Sequence, residues 1–156
     1  MSGHVIIAFE TKSGVTGESA DIIVDVLRRK YGLNVDVVNL KENPRPDLAQ
    51  YKSIFIGSGI RMGRWYRKSK KLLNADFEGK NLVVFVSACS AGDPKTHDEA
   101  VGKYLNDMLA KYPRAKPLAT AALDGRMKMF GKAQAETCDP DKVRAWAEEV
   151  GAKLTK

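Results

Sequence analysis

The sequence predicts an α/β fold, a doubly wound three-layer α/β/α sandwich around a five-stranded parallel sheet. Five short apolar or alternating segments, each a candidate strand, alternate along the 156 residues with segments of helical periodicity. The first, third and fourth of these strands are apolar throughout, which is typical of central parallel strands covered on both faces by helices. Such sandwiches bind ligands beyond the carboxyl ends of their strands.

The predicted elements follow one another in regular order. Strands are expected at residues 5–9, 34–40, 53–56, 82–86 and 118–123. Helices are expected at residues 18–31, 65–73, 96–111 and 139–154, with a short one at 47–51. Gly32 follows the first helix as a stop signal, and Thr96 with Glu99 forms a candidate capping box. Pro140 suits the first position of the last helix.

Composition indicates an ordinary globular protein, which we expect to form a single domain over residues 1–156. Hydrophobic residues make up 44% and charged residues 29% of the chain. No apolar run is long enough for a membrane span, and no secretory signal is visible. The two cysteines, Cys89 and Cys138, lie in unlike contexts, so we expect free thiols, no metal site and a cytoplasmic location.

The chain is basic, with 26 Lys and Arg against 19 Asp and Glu. Basic residues concentrate locally between Arg61 and Lys71. A basic balance favours acidic protein partners, nucleic acid or an anionic membrane surface. No RNP-type aromatic strand accompanies the basic residues, so we expect no nucleic-acid partner.

A hydroxyl-rich turn, Thr11-Lys12-Ser13-Gly14-Val15-Thr16, directly follows the first strand and opens the first helix. Backbone N–H groups at a helix N-terminus are unpaired, and the helix dipole adds positive charge there. The turn is therefore a candidate phosphate cradle, although Ser and Thr are also ordinary helix caps on a surface turn. It matches neither a Walker A nor a G-x-G-x-x-G motif.

The pattern Thr11-x-Ser13-Gly14-x-Thr16 resembles the FMN phosphate loop of the flavodoxin family, (Ser/Thr)-x-(Ser/Thr)-Gly-x-(Ser/Thr). The spacing to the loops after strands three and four also fits. Within the family, the segment at 56–63, Ile-Gly-Ser-Gly-Ile-Arg-Met-Gly, is similar to the I-G-(A/S)-x-I-R-x-G segment of flavodoxin-like protoporphyrinogen oxidases. The resemblance implies a flavodoxin-like fold, FMN as the cofactor, and redox proteins as partners.

The resemblance also implies an FMN site drawn from three loops. The first loop would hold the phosphate, the second would lie against the isoalloxazine ring with Met62 and Trp65 as candidate walls, and the third would meet the pyrimidine edge. No catalytic residue is expected. The candidate cofactor residues are Thr11, Lys12, Ser13, Gly14, Val15, Thr16, Ser58, Gly59, Ile60, Arg61, Met62, Gly63, Trp65, Ser87, Ala88, Cys89, Ser90, Ala91 and Gly92.

Several roles stay open at this point. Lys12 either contacts the phosphate or points into solvent, and Trp65 either stacks on the ring or packs against the core. Cys89 either contacts the flavin or acts as a redox group, for which no C-x-x-C motif is present.

The resemblance also implies a hypothesis for Gly57, Gly59 and Gly63, that they let a peptide rotate as the flavin changes redox state. Arg61 and Arg64 either stabilise reduced flavin, meet an acidic partner or bind a carboxylated substrate.

Two functions follow from the resemblance. The first is an FMN-binding electron carrier that moves one or two electrons between redox partners. The second is a flavin-dependent oxidoreductase similar to the menaquinone-dependent protoporphyrinogen dehydrogenases. That subfamily carries a long apolar insertion after the last strand, whereas residues 125–138 are short here, with Met127, Met129 and Phe130 as apolar members. Conventional flavodoxins are acidic, and this chain is not.

Overall fold

The structure is a computed structural model that describes residues 4–10, 15–61, 64–88, 95–124, 126–129, 132–136 and 140–155. Within these ranges the strands are β1 (Val5–Glu10), β2 (Val35–Asn39), β3 (Ser53–Arg61), β4 (Arg64–Trp65), β5 (Asn81–Ala88), β6 (Ala119–Asp124), β7 (Arg126–Met129) and β8 (Lys132–Glu136). The helices are α1 (Val15–Tyr31), α2 (Arg67–Leu72), α3 (His97–Val101), α4 (Asp107–Ala110) and α5 (Pro140–Leu154). A π-helical turn, Gly102–Asn106, joins α3 to α4.

The main sheet has the strand order β2-β1-β3-β5-β6, and all four pairings in this order are parallel. The predicted doubly wound parallel sheet is therefore confirmed. The order reverses between β1 and β3, because the chain leaves β1 to reach β2 on one side and β3 on the other. This reversal creates the crevice at the carboxyl ends of the strands in which doubly wound folds bind their ligands.

Both faces of the sheet are covered, which explains the unbroken apolar runs of the central strands. Alternate residues of β1 belong to different cores: Ile6 and Ala8 pack with α2, α3 and the π-helical turn, whereas Val5 and Ile7 pack with α1 and α5. The side chains of β1 alternate between the two faces because successive residues in a strand point in opposite directions.

The first helix ends where the sequence predicts. Gly32 follows it with a positive φ of 62°, a conformation that glycine adopts without steric cost. The N–H of Gly32 bonds the carbonyl of Arg28, and the N–H of Leu33 bonds that of Leu27, so carbonyls of the last turn are satisfied.

Three predicted helices differ in the structure. Residues 47–51 form a turn, because the Asp47 carboxylate accepts the Ala49 N–H at 3.0 Å and offers the backbone an alternative to a helix. The expected helix at 65–73 begins at Arg67, since Trp65 first pairs antiparallel with Ile60. The expected helix at 96–111 is divided by the π-helical turn, and the side chain of Thr96 makes no capping hydrogen bond.

An antiparallel hairpin of β7 and β8 lies between β6 and α5, in a region for which the sequence predicted neither a strand nor a helix. Its register shifts between Met127 and Lys128. Both strands alternate polar and apolar residues in the sequence, a pattern that fits a two-residue strand period.

Among the described residues, no helix combines the length and the apolar character needed to cross a membrane.

Candidate functional site

The carboxyl ends of β1, β3 and β5 meet at one edge of the sheet. Glu10 lies opposite Ser58 in the β1–β3 pairing, and Gly59 lies opposite Ser87 in the β3–β5 pairing. Helix α1 begins at Val15, shortly after β1 ends, so its N-terminus lies at the same edge. We call this edge the ligand edge. It brings together Thr16, Ser58, Gly59, Ser87 and Ala88 from the predicted site residues.

Two buried hydroxyls at the ligand edge have no hydrogen-bond partner among the described residues, those of Thr16 and Ser87. The buried Ser19 hydroxyl, one turn further along α1, also has no hydrogen-bond partner among the described residues. Thr16 has no exposed surface and lies in the first turn of α1, where backbone N–H groups and the helix dipole favour a negative charge. A phosphate oxygen there would give an unsatisfied buried donor its acceptor, so the residues present fit a phosphorylated ligand.

Ser58 holds the start of the second loop. Its buried hydroxyl donates to the carbonyl of Gly59 at 2.8 Å and accepts the N–H of Tyr66 at 3.0 Å. Ser69, on the buried side of α2, donates to the carbonyl of Gly57 at 2.7 Å. These bonds hold Tyr66 and helix α2 against the end of β3.

Glu10 is a buried carboxylate at the ligand edge that sequence reasoning did not assign to the site. It is 8% exposed, and its Oε1 accepts the backbone N–H of Lys68 at 3.2 Å. Its Oε2 lies 4.0 Å from the Lys68 ammonium. Glu10 therefore ties the first turn of α2 to the end of β1. A single acid at the end of an otherwise apolar strand is the sequence signal that could have found it.

Trp65 occupies the core, which is one of the two alternatives that the sequence left open. It is 6% exposed, and its indole N–H donates to the carbonyl of Tyr104 at 2.8 Å. Because Tyr104 belongs to the π-helical turn, this bond joins the second loop to the helices on that face. The contacts support a packing role for Trp65 rather than an exposed wall for a ring.

The expectation that Gly57 and Gly59 allow a peptide to rotate needs correction. Both residues lie within β3 and pair with β5, so rotation of their peptides would disrupt the ladder. A Cβ at Gly57 would lie 2.3 Å from a ring carbon of Phe85, which gives a packing reason for glycine there. Gly63, the third glycine, lies outside the described residues.

Other predicted site residues fall outside the described ranges. They are Thr11, Lys12, Ser13, Gly14, Met62, Gly63, Cys89, Ser90, Ala91 and Gly92. Of the rest, Val15 begins α1, Arg61 ends β3, and Ile60 is partly buried against the core.

A polar cluster lies at the opposite edge of the sheet, away from this site. The Tyr51 hydroxyl donates to Asp36 Oδ2 at 2.8 Å, and His4 Nε2 lies 3.0 Å from the same oxygen. Burial and the hydrogen bond to Asp36 raise the pKa of Tyr51 to about 12. His4 and Tyr51 precede β1 and β3, and Asp36 lies near the start of β2, so these groups do not contribute to the ligand edge.

The fold defines a class, the doubly wound α/β proteins, which bind their ligands in the crevice where the strand order reverses. A family model described as a flavodoxin domain matches residues 6–134, and the chain belongs to this family.

Solved structures of flavodoxins share the fold at low sequence identity. Oxidised flavodoxin 1 from Bacillus cereus is 20% identical, with a TM-score of 0.65 over 98% of this chain and 97% of that one. A flavodoxin from Streptococcus pneumoniae is 22% identical, with a TM-score of 0.65 over 97% and 99%. A variant flavodoxin from Fusobacterium nucleatum, solved with flavin mononucleotide, is 16% identical, with a TM-score of 0.51 over 99% and 94%.

A search of curated proteins by sequence gave no match. Within the described part of the chain, no three His, Cys, Asp or Glu side chains are grouped so that they could hold a metal ion.

Proposed function

We propose that this protein binds FMN at the ligand edge and carries one or two electrons between redox partner proteins. The observation that carries the proposal is the buried Thr16 hydroxyl, which lacks a partner among the described residues in the first turn of α1. Membership of the flavodoxin family adds to it. The related flavodoxin from Fusobacterium nucleatum was solved with FMN, which names the phosphorylated ligand we propose.

In this proposal each loop at the ligand edge meets one part of the cofactor. Residues 11–16 would hold the phosphate through backbone N–H groups and hydroxyls. Residues 58–63 and 87–92 would lie along the ring, where backbone groups bond its polar edge and small side chains permit close approach. The bound flavin supplies the redox chemistry, and the protein positions it and excludes water.

The described side chains at this edge fit an electron carrier better than they fit a substrate-oxidising enzyme. A carrier needs little acid–base machinery, because the protein's tasks are to hold the cofactor and set its environment. The carboxylate of Glu10 is already engaged with the backbone N–H of Lys68, which fits a structural role. The segment Ile60-Arg61-Met62-Gly63 supports the second candidate, an oxidoreductase similar to protoporphyrinogen oxidase.

The test is reconstitution of the purified protein with FMN, followed by anaerobic photoreduction and reoxidation. We expect one FMN per chain and two electrons taken up and returned per FMN, with no consumption of protoporphyrinogen in the presence of a quinone. Failure to bind FMN would overturn the proposal. Sustained turnover of protoporphyrinogen would replace the carrier function with the second candidate.

A further inference from the structure

The net positive charge of this protein originates in one short segment. Residues 61–71 contain six of the 26 Lys and Arg residues and none of the 19 Asp and Glu residues. The rest of the chain therefore holds 20 basic and 19 acidic residues and is almost neutral. Nearly all of the formal net charge of +7 thus originates in this segment.

This segment lies beside the ligand edge. It comprises the end of β3, the short strand β4 and most of helix α2. Glu10 and Ser58 hold the first turn of α2 against the ends of β1 and β3, through the N–H groups of Lys68 and Tyr66. Helix α2 has six residues and is therefore roughly 9 Å long. Helix α2 therefore begins next to the ligand edge, at the contacts of Tyr66 and Lys68 with Ser58 and Glu10.

The basic side chains of this segment are available to a partner. We name them the basic surface: Arg64, Arg67, Lys68, Lys70 and Lys71. Arg64, Arg67 and Lys71 are exposed, and Lys68 and Lys70 are partly exposed, whereas Ser69 and Leu72 form the buried side of α2. Of these five residues, Lys68 alone forms an ion pair with a residue that the structure describes, and its ammonium lies 4.0 Å from the carboxylate of Glu10. Arg64, Arg67, Lys70 and Lys71 therefore make no ion pair within 4.0 Å in the part of the chain that the structure describes.

We propose that the basic surface is the docking surface for an acidic redox partner protein, which it orients with its redox centre towards the flavin. This inference rests on the proposed function and names the partner class of the same site. Complementary charges around a redox site guide encounters and fix orientation, and such steering raises association rates by about 10- to 1000-fold at low ionic strength.

The composition of the surface favours a protein over an anionic membrane. A helix that lies on a membrane inserts an apolar face into it. The large hydrophobic side chains exposed in the described part of the chain are Val37 and Leu118, and neither belongs to this segment. Within the segment, the described residue Trp65 is 6% exposed, and Leu72, which directly follows the segment, is 9% exposed.

The experiment measures electron transfer from an acidic probe, a reduced plant-type 2Fe–2S ferredoxin, to the FMN-loaded protein by stopped flow. Each ferredoxin gives one electron, so two ferredoxins and protons from water reduce one FMN fully. The test variant carries Arg67→Glu, Lys70→Glu and Lys71→Glu. The control makes the same change in charge at the opposite edge of the sheet, with Lys111→Glu, Arg114→Glu and Lys116→Glu.

FMN content and thermal unfolding are measured first, because they separate this proposal from the proposed function. If the unaltered protein holds no FMN, the proposed function fails and the docking proposal fails with it. If the glutamate variant unfolds or loses FMN, the rates are taken on Arg67→Gln, Lys70→Gln and Lys71→Gln, which removes the charge without reversing it.

At an ionic strength of about 0.01 M, where charges act over about 30 Å, we expect the test variant to react at least about 10-fold more slowly than the control variant. At about 0.5 M the two rates should converge, because salt screens the surface. Equal slowing of both variants would overturn the proposal, since it would reflect net charge alone. Loss of binding to phosphatidylglycerol vesicles with unchanged electron transfer would overturn it in favour of a membrane.

Discussion

Replacing Gly57 with alanine places a methyl group against a fully buried ring in the sheet, that of Phe85. Gly57 lies in the middle of β3, between Phe9 of β1 and Phe85 of β5. A Cβ at this position would lie 2.3, 2.6 and 2.8 Å from three ring carbons of Phe85. Carbon atoms in favourable contact are about 3.5–4.0 Å apart, so the ring would have to move by roughly 1 Å or more.

The ring of Phe85 has little room for such a movement. It has no exposed surface, and its centre lies 6.0 Å from that of Trp146 on α5. Overpacking of a well-filled core costs about 1–3 kcal/mol, and we expect the upper part of that range here. For a protein of this size, about 2–3 kcal/mol lowers the melting temperature by about 4–12 °C.

The assay is thermal and urea unfolding, followed by circular dichroism, with Gly102→Ala as the matched control. Gly102 has helical dihedral angles, and a Cβ there would meet no atom within 4 Å apart from the neighbouring backbone of its own helix. Its replacement should stabilise the protein by about 0.5–1 kcal/mol, because alanine restricts the unfolded chain. In a Phe85→Leu background the cost of Gly57→Ala should shrink. An undiminished cost there, or a Gly57→Ala variant as stable as the unaltered protein, would refute the packing explanation.

Three further predictions concern contacts away from Gly57. Glu10→Ala should destabilise the protein by about 1–3 kcal/mol in urea unfolding, because the Lys68 N–H in the first turn of α2 loses its buried acceptor. Glu10→Gln keeps an acceptor and should cost less, and equal losses in the two variants would contradict the role of Glu10 in holding α2. Trp65→Phe should cost about 1 kcal/mol, since the indole donor to the π-helical turn is lost, and no loss of stability would show that this bond contributes nothing. The pKa of Tyr51 is raised to about 12 in the folded protein, against 10.0 for the unfolded chain, so the folded state keeps the tyrosine proton to higher pH and the free energy of unfolding should fall as the pH rises from 10 to 12. Tyr51→Phe should flatten that slope, and Asp36→Asn should lower the pKa of Tyr51 in an ultraviolet titration of the tyrosines.

The sequence could predict the parallel sheet because its signals are local and strong. The apolar runs of β1, β3 and β5 reflect burial on both faces, and the glycine after α1 has the positive φ that ends the helix. The first helix, predicted from residue 18, begins at Val15, so the last two residues of the hydroxyl-rich turn belong to α1.

The features that sequence reasoning left open or missed depend on contacts between distant residues. Trp65 is 39 residues from the carbonyl that its indole binds, and Glu10 is 58 residues from the N–H that it accepts. The packing reason for Gly57 is a ring on the neighbouring strand. The hairpin of β7 and β8 was missed because its strands are only four and five residues long, and such short alternation is also common in loops.

The central claim, that the first turn of α1 holds the phosphate of FMN, is tested most directly by comparing the affinities of FMN and riboflavin by quenching of flavin fluorescence. The two ligands share the ring and differ in the phosphate, so we expect FMN to bind at least about 100-fold more tightly. Thr16→Val should weaken FMN binding about 10-fold and leave riboflavin unchanged, whereas Ser19→Ala, one turn away, should affect neither. Equal affinities for FMN and riboflavin in the unaltered protein would contradict the account.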